Sequence, residues 1–246
     1  MLEIEKIREK LSNGDSVTFI FVGDSITQGT SHCTDDETYV AIFAKCLADE
    51  FKNASVYRYD GKATGAAKPL NGYKEVLMQK GNCGRINVLR SGVGGSTVNW
   101  AMGRFSDYTG VLPCGTRSDY IFTMFGINDS ITSVAEKYVT PDVFKTQYGT
   151  MFDKLAESEP QTKIIVMPAT TNDFDITAHV KVTFELAREK NLLLIDTFKL
   201  WSEHYIEGAE NFGHGDWLKG GTDACHPMPK ASKIMAEYIY NEFKVL

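Results

Sequence analysis

Four short segments of this chain carry the side chains and backbone donors that an attack on an ester carbonyl requires. Ser25, in Gly23-Asp24-Ser25, offers a hydroxyl nucleophile, and His226, in Asp223-Ala224-Cys225-His226-Pro227, offers a base. A serine hydroxyl is a weak nucleophile at neutral pH, so it needs such a base within hydrogen-bond reach. Asp223 stands three residues before His226, a spacing at which one turn brings a carboxylate to the ring Nδ1 and leaves Nε2 aimed at the serine. Gly95, within Gly92-Val93-Gly94-Gly95-Ser96-Thr97, and Asn128, within Gly126-Ile127-Asn128-Asp129, join the Ser25 N–H as donors for the oxyanion that would form.

Taken singly, each of these residues has an ordinary structural explanation. A serine after a strand commonly caps a helix, as does an aspartate before a terminal helix, and an asparagine in a polar triplet commonly makes a turn. Asp24 fits a turn-fixing role, and Asp129 fits a brace for its own loop better than a catalytic acid. His32, His179, His204 and His214 read as structural, and Cys225 reads as a bystander because neighbours in a turn rarely aim at each other. The glycine-rich stretch lacks the Lys and the glycine spacing of a phosphate-binding loop. Neither a Gly-Xaa-Ser-Xaa-Gly elbow nor a Ser-Xaa-Xaa-Lys pair occurs. His204, His214, Asp216 and His226 do not have the spacing of a helical ligand pair, so no metal is expected.

In this order the four segments resemble the SGNH hydrolase family, also called GDSL-type esterases, and the resemblance runs from Gly23 to Pro227. It implies a triad of Ser25, Asp223 and His226, an oxyanion hole of Ser25, Gly95 and Asn128, no cofactor, and a three-layer α/β/α, flavodoxin-like fold. The second segment departs from the family, which often carries an Asn a few residues before its working glycine. Here that stretch reads Arg90-Ser91, and the choice between Gly94 and Gly95 stays open.

Family members deacetylate carbohydrates, hydrolyse lipids and thioesters, or cleave aryl esters, so the resemblance does not select a substrate. The preferred expectation is removal of acetyl or other short acyl groups from a carbohydrate or small molecule, because nothing in the sequence resembles an apolar lid or a membrane-facing helix. A lipase or thioesterase of the same family is the alternative, and a non-catalytic flavodoxin-like binding module is the rival from another class. Tyr73, Trp100, Phe105 and Trp217 are candidate substrate contacts, with a core role an equal explanation for Trp100 and Phe105.

The motifs need a scaffold, and the pattern supplies one. Val17 to Val22 is a β-branched and aromatic run, the mark of a strand buried on both faces. Similar strands are expected at Ile86 to Leu89, Tyr120 to Phe125, Lys163 to Met167 and Leu192 to Ile195. Helical patterns lie between them at Tyr39 to Phe51, Pro141 to Glu157 and Phe174 to Lys190, and another follows at Met228 to Phe243. This alternation predicts a mostly parallel sheet of about five strands covered on both faces. Such sheets bind ligands beyond the carboxyl ends of their strands, and the first three motifs each follow a strand. The segment from Val56 to Arg85 fits no helix and reads as a hairpin or extended loop.

A chain of 246 residues without Pro/Ser-rich or repetitive stretches reads as one domain, residues 1–246. Its net charge of −6, with dispersed basic residues, argues against nucleic acid as a partner. No apolar run is long enough to cross a bilayer, and the acidic, amphipathic start is unlike a signal peptide, so no membrane partner is expected and a soluble, cytoplasmic protein is. Five cysteines without a Cys-Xaa-Xaa-Cys pair read as free thiols.

Overall fold

The computed structural model describes residues 2–29, 33–170, 175–200 and 226–246. Asp223 and Trp217 lie outside the described residues, as do His32, His204, His214 and Cys225. The strands are β1 (Ser16–Gly23), β2 (Ala54–Gly61), β3 (Tyr73–Gln79), β4 (Cys83–Gly92), β5 (Tyr120–Met124), β6 (Lys163–Val166) and β7 (Leu193–Leu194). The helices are α1 (Glu3–Ser12), α2 (Ser25–Gln28), α3 (Tyr39–Glu50), α4 (Val98–Met102), α5 (Ile127–Ser130), α6 (Pro141–Ser158), α7 (Thr177–Glu189) and α8 (Pro229–Val245).

The strands form one sheet in the order β3-β2-β4-β1-β5-β6-β7. Every neighbouring pair is parallel except β2 and β3. Among the described residues the sheet has seven strands where about five are expected. The additional pair is the β2–β3 hairpin, which lies where the sequence suggests only a hairpin or extended loop. Its edge strand, Tyr-Lys-Glu-Val-Leu-Met-Gln, is half exposed and charged, so it lacks the apolar run that marks a buried strand.

Side chains alternate across β1 and seed a core on each face of the sheet. Val17, Phe19 and Phe21 pack with α1, α3 and α8, while Ile20 and Val22 pack with α4 and α6. The result is the expected α/β/α sandwich. The C-terminal helix is seated by aromatic contacts, with the Phe243 ring 5.7 Å from Phe19, 5.1 Å from Tyr120 and 6.1 Å from Phe43. Pro229 opens that helix at its first turn, where its missing N–H leaves no intrahelical bond unmade. Among the described residues no helix is long and apolar enough to cross a membrane.

Candidate active site

Three adjacent strands end at the same level. Gly23 at the end of β1 is in register with Gly92 of β4 on one side and Met124 of β5 on the other. The segments carrying Ser25, Gly95 and Asn128 therefore leave the sheet side by side at its carboxyl edge, where parallel sheets bind ligands. Helix α2 crosses directly over this edge. A Cβ on Gly92 would stand 2.3 Å from the Gln28 nitrogen and 2.5 Å from the Thr27 carbonyl carbon, so only glycine admits the crossing.

Asp24 caps α2, its carboxylate accepting from the Ile26 N–H at 2.9 Å. The cap leaves the neighbouring serine hydroxyl for another partner. His226 Nε2 lies 2.7 Å from Ser25 Oγ, although the two residues are 201 positions apart in sequence. The turn that delivers His226 is tied back to the sandwich next to α8, where Cys33 Sγ contacts the Pro227 carbonyl at 3.5 Å and the Ser232 hydroxyl at 3.3 Å.

The glycine-rich turn stands beside the end of α2. The Gly94 N–H donates to Gln28 Oε1. The Gly95 N–H has no acceptor among the described residues, and Gly95 adopts φ +75°, a left-handed conformation that favours glycine. Asn128 Nδ2 donates to the Ser96 carbonyl at 3.2 Å and retains a second amide hydrogen. Ser96 is held in turn by Arg104, a wholly buried guanidinium that donates to its hydroxyl at 2.8 Å. Burial lowers the Arg104 pKa.

Two buried carboxylates lie beneath these loops. Burial pushes Asp24 up to about 6 and Asp129 up to about 7, the latter raised further by the negative charge of Asp24. Asp129 accepts from the Val98 N–H at 3.1 Å and, through its carbonyl, from the Val139 N–H at 2.9 Å. These bonds give it the bracing role anticipated from the sequence. His179 is structural too: it contacts the Val139 carbonyl at 3.0 Å, packs against Phe144, and has its pKa lowered by burial.

The aromatic candidates separate. Tyr73 uses its hydroxyl on Ser91 and, at 2.8 Å, on the Asp107 carbonyl, and its ring packs against the core beside α4. Phe105 packs on Tyr108 at 5.3 Å. Trp100 is half-buried and reaches Lys137, whose Nζ lies 5.9 Å from the ring centroid. Lys137 is absent from the sequence reading. It sits in a polar loop outside every motif, and no local signal marks it; Gln28, at the end of α2, and Arg104, just past α4, are equally unmarked. Arg90, noted only as a departure, accounts for itself here. It pairs with Asp60 at 3.1 Å and Asp35 at 2.6 Å and donates to the Gln28 carbonyl, fixing the end of α2.

The sequence profile of the GDSL-like Lipase/Acylhydrolase family matches residues 56–234, well over half the chain. The chain belongs to this family. The protein is accordingly a carboxylic ester hydrolase. The matched span holds Gly95, Asn128 and His226 and begins after Ser25. No curated protein matches the chain by sequence. Among solved structures the family member resembles an acetyl xylan esterase, AlAXEase, with a TM-score of 0.64, 18% identity, and coverage of 92% of this chain and 98% of that one. It also resembles the acetylxylan esterase Axe2 from Geobacillus stearothermophilus, with a TM-score of 0.63, 19% identity, and coverage of 95% and 96%. A two-domain esterase active on acetylated mannans aligns with a TM-score of 0.64 and 15% identity. That alignment covers 97% of this chain, which spans 52% of the mannan esterase's length. At these identities the likeness is one of fold.

Proposed function

We propose that Ser25 is the nucleophile of an acyl-enzyme mechanism with His226 as its base. The observation that carries this reading is the 2.7 Å contact between His226 Nε2 and Ser25 Oγ at the edge where three strand ends converge. As Ser25 Oγ attacks the ester carbonyl carbon, its proton passes to His226 Nε2, and the carbonyl oxygen becomes an oxyanion facing the Ser25 and Gly95 N–H groups and Asn128 Nδ2. The engagement of the Gly94 N–H by Gln28 favours Gly95 as the donor. Collapse of the tetrahedral adduct breaks the bond to the alcohol oxygen, which takes the proton from His226. Water, deprotonated by the same histidine, then releases the acid. Asp223 is assigned the orientation of His226 from the sequence motif.

For the substrate we propose acetyl or another short acyl group on a carbohydrate. Support comes from the fold relatives, whose names record action on acetylated mannans and acetyl xylan, and from the half-buried Trp100 near the oxyanion side, an aromatic face suited to stacking on a sugar. The deciding experiment is labelling with a fluorophosphonate followed by measurement of the acid released from a panel of acetylated oligosaccharides, long-chain acyl esters and acyl thioesters. Stoichiometric labelling on the Ser25 peptide, absent from Ser25→Ala, is expected, together with release from the oligosaccharides. Folded protein that neither labels nor turns over would instead be a binding module, and turnover confined to long acyl chains or thioesters would move the substrate to lipid or thioester.

A further inference from the structure

We infer that Lys137 is a positioning residue for the oxyanion side of this site, clamping the Asn128 amide so that its nitrogen faces the substrate; the inference rests on the assignment of Asn128 proposed above. An asparagine amide has two nearly isosteric orientations, and only one presents N–H groups where an oxyanion would form. Two contacts select between them here. The Ser96 carbonyl accepts from Nδ2 at 3.2 Å, and the Lys137 ammonium donates to Oδ1 at 3.4 Å. A flipped amide would set oxygen against the Ser96 carbonyl and N–H against the ammonium, both repulsive.

The ammonium is also placed to act by charge. A Cβ on Gly95 would stand 3.1 Å from Lys137 Nζ and 3.5 Å from the Ala66 methyl, so the cation covers the face of Gly95 that lacks a side chain. Trp100 flanks it at 5.9 Å, within cation–π range, and its charge reaches the buried Asp24 carboxylate without a direct ion pair among the described residues. A fixed positive charge beside neutral donors lowers the energy of the oxyanion more than that of the uncharged ester.

The loop that carries Lys137 is tied at both ends of this contact. The Lys137 N–H donates to the Val134 carbonyl at 2.9 Å, and the Tyr138 N–H donates to the same oxygen at 3.0 Å. Two residues on, the Val139 N–H donates to the Asp129 carbonyl at 2.9 Å, and its own carbonyl meets His179 at 3.0 Å. The residue next to Asn128 thus anchors the strap that returns Lys137 to Asn128.

The test uses the full chain in five forms: wild type, Ser25→Ala, Lys137→Met, Lys137→Arg and Lys137→Met combined with Asn128→Ala. With p-nitrophenyl acetate, Lys137→Met should lower kcat by about 10-fold or more at nearly constant KM, a smaller loss than deletion of a direct oxyanion donor. Lys137→Arg, which keeps the charge and a donor, should recover most of that loss. In the Asn128→Ala background the methionine substitution should cost clearly less than in wild type, because the clamped amide is gone and only the direct effect of the charge remains. Independently of turnover, the Asn128 side-chain amide resonance should shift and broaden in Lys137→Met and stay sharp in Lys137→Arg. A methionine variant with wild-type kcat, a pure KM effect, an undiminished loss in the double variant, or an unmoved Asn128 amide would each overturn the assignment. Failure of the nucleophile reading looks different, because wild type and Ser25→Ala would then turn over equally while the amide resonance still reports on the clamp.

Discussion

The negative charge of Asp24 reaches Asp129 beneath the carboxyl edge of the sheet and adds to burial in holding the Asp129 carboxyl at about 7. Both groups are raised from an ordinary value of 3.8, Asp24 to about 6. In the window between the unfolded and folded values the native state binds more protons than the unfolded chain. The contribution of these two groups to stability therefore falls as pH rises from about 4 to about 7. Asp129→Asn, which keeps an acceptor for the Val98 N–H and removes the charge, should gain on wild type across that window. Thermal unfolding at pH 4 and pH 8 is the check, with the difference in Tm between variant and wild type growing by about 4 °C or more. A difference that stays flat with pH would show Asp129 titrating normally.

Arg90 is the second lever. It joins buried Asp60 to the Gln28 carbonyl, and Gln28 in turn holds the Gly94 N–H. Arg90→Met leaves Asp60 with Arg58 alone and frees the end of α2. We expect a loss of about 3 kcal/mol in urea unfolding, typical of one partner removed from a buried ion pair, accompanied by a fall in kcat. Stability unchanged within about 0.5 kcal/mol would place the network among contacts that contribute nothing measurable.

Asn128→Ala should lower kcat on p-nitrophenyl acetate by roughly 10²–10³ with little change in KM, the loss characteristic of a donor that acts only as charge develops. A change confined to KM would assign Asn128 to ground-state binding of the ester.

The elements legible in the sequence were those whose burial is symmetric. Phe19, Ile20, Phe21 and Val22 are buried on both faces of β1, so their run is continuous, and the rule that ligands lie beyond parallel strand ends then places Ser25, Gly95 and Asn128 together. β3 escaped that reading because an edge strand with Lys74 and Glu75 toward solvent looks like loop. Lys137 and Gln28 escaped for a different reason. Their partners, Asn128 and Gly94, are fixed by the folded path of the chain, and a single polar residue in a loop or at the end of a one-turn helix carries no periodicity or spacing that could announce them.

Acyl length tests the substrate reading. Each methylene accepted by an apolar slot favours binding by about 0.8 kcal/mol, so an enzyme built for lipid gains along the series while a short slot loses by steric exclusion. kcat/KM for p-nitrophenyl esters should peak at acetate and decline toward decanoate. A maximum at octanoate or beyond would transfer the protein to lipid or thioester substrates and leave the assignment of Ser25 and His226 untouched.

The separation of 201 positions from Ser25 to His226 also sets an order of events. During synthesis β1, β4 and β5 emerge and can pair well before residue 226 exists, and with them come Ser25, Gly95 and Asn128. On the proposed mechanism, a nascent chain at that stage holds a nucleophile without its proton acceptor. The acceptor arrives only with the segment leading into α8, whose seat is the contact of Phe243 with Phe19, Phe43 and Tyr120. Closing so distant a contact is slow relative to the local pairings around it. Hydrolytic competence on the proposed mechanism is thus timed to the emergence of α8, and its appearance during refolding would serve as a clock for the docking of that helix.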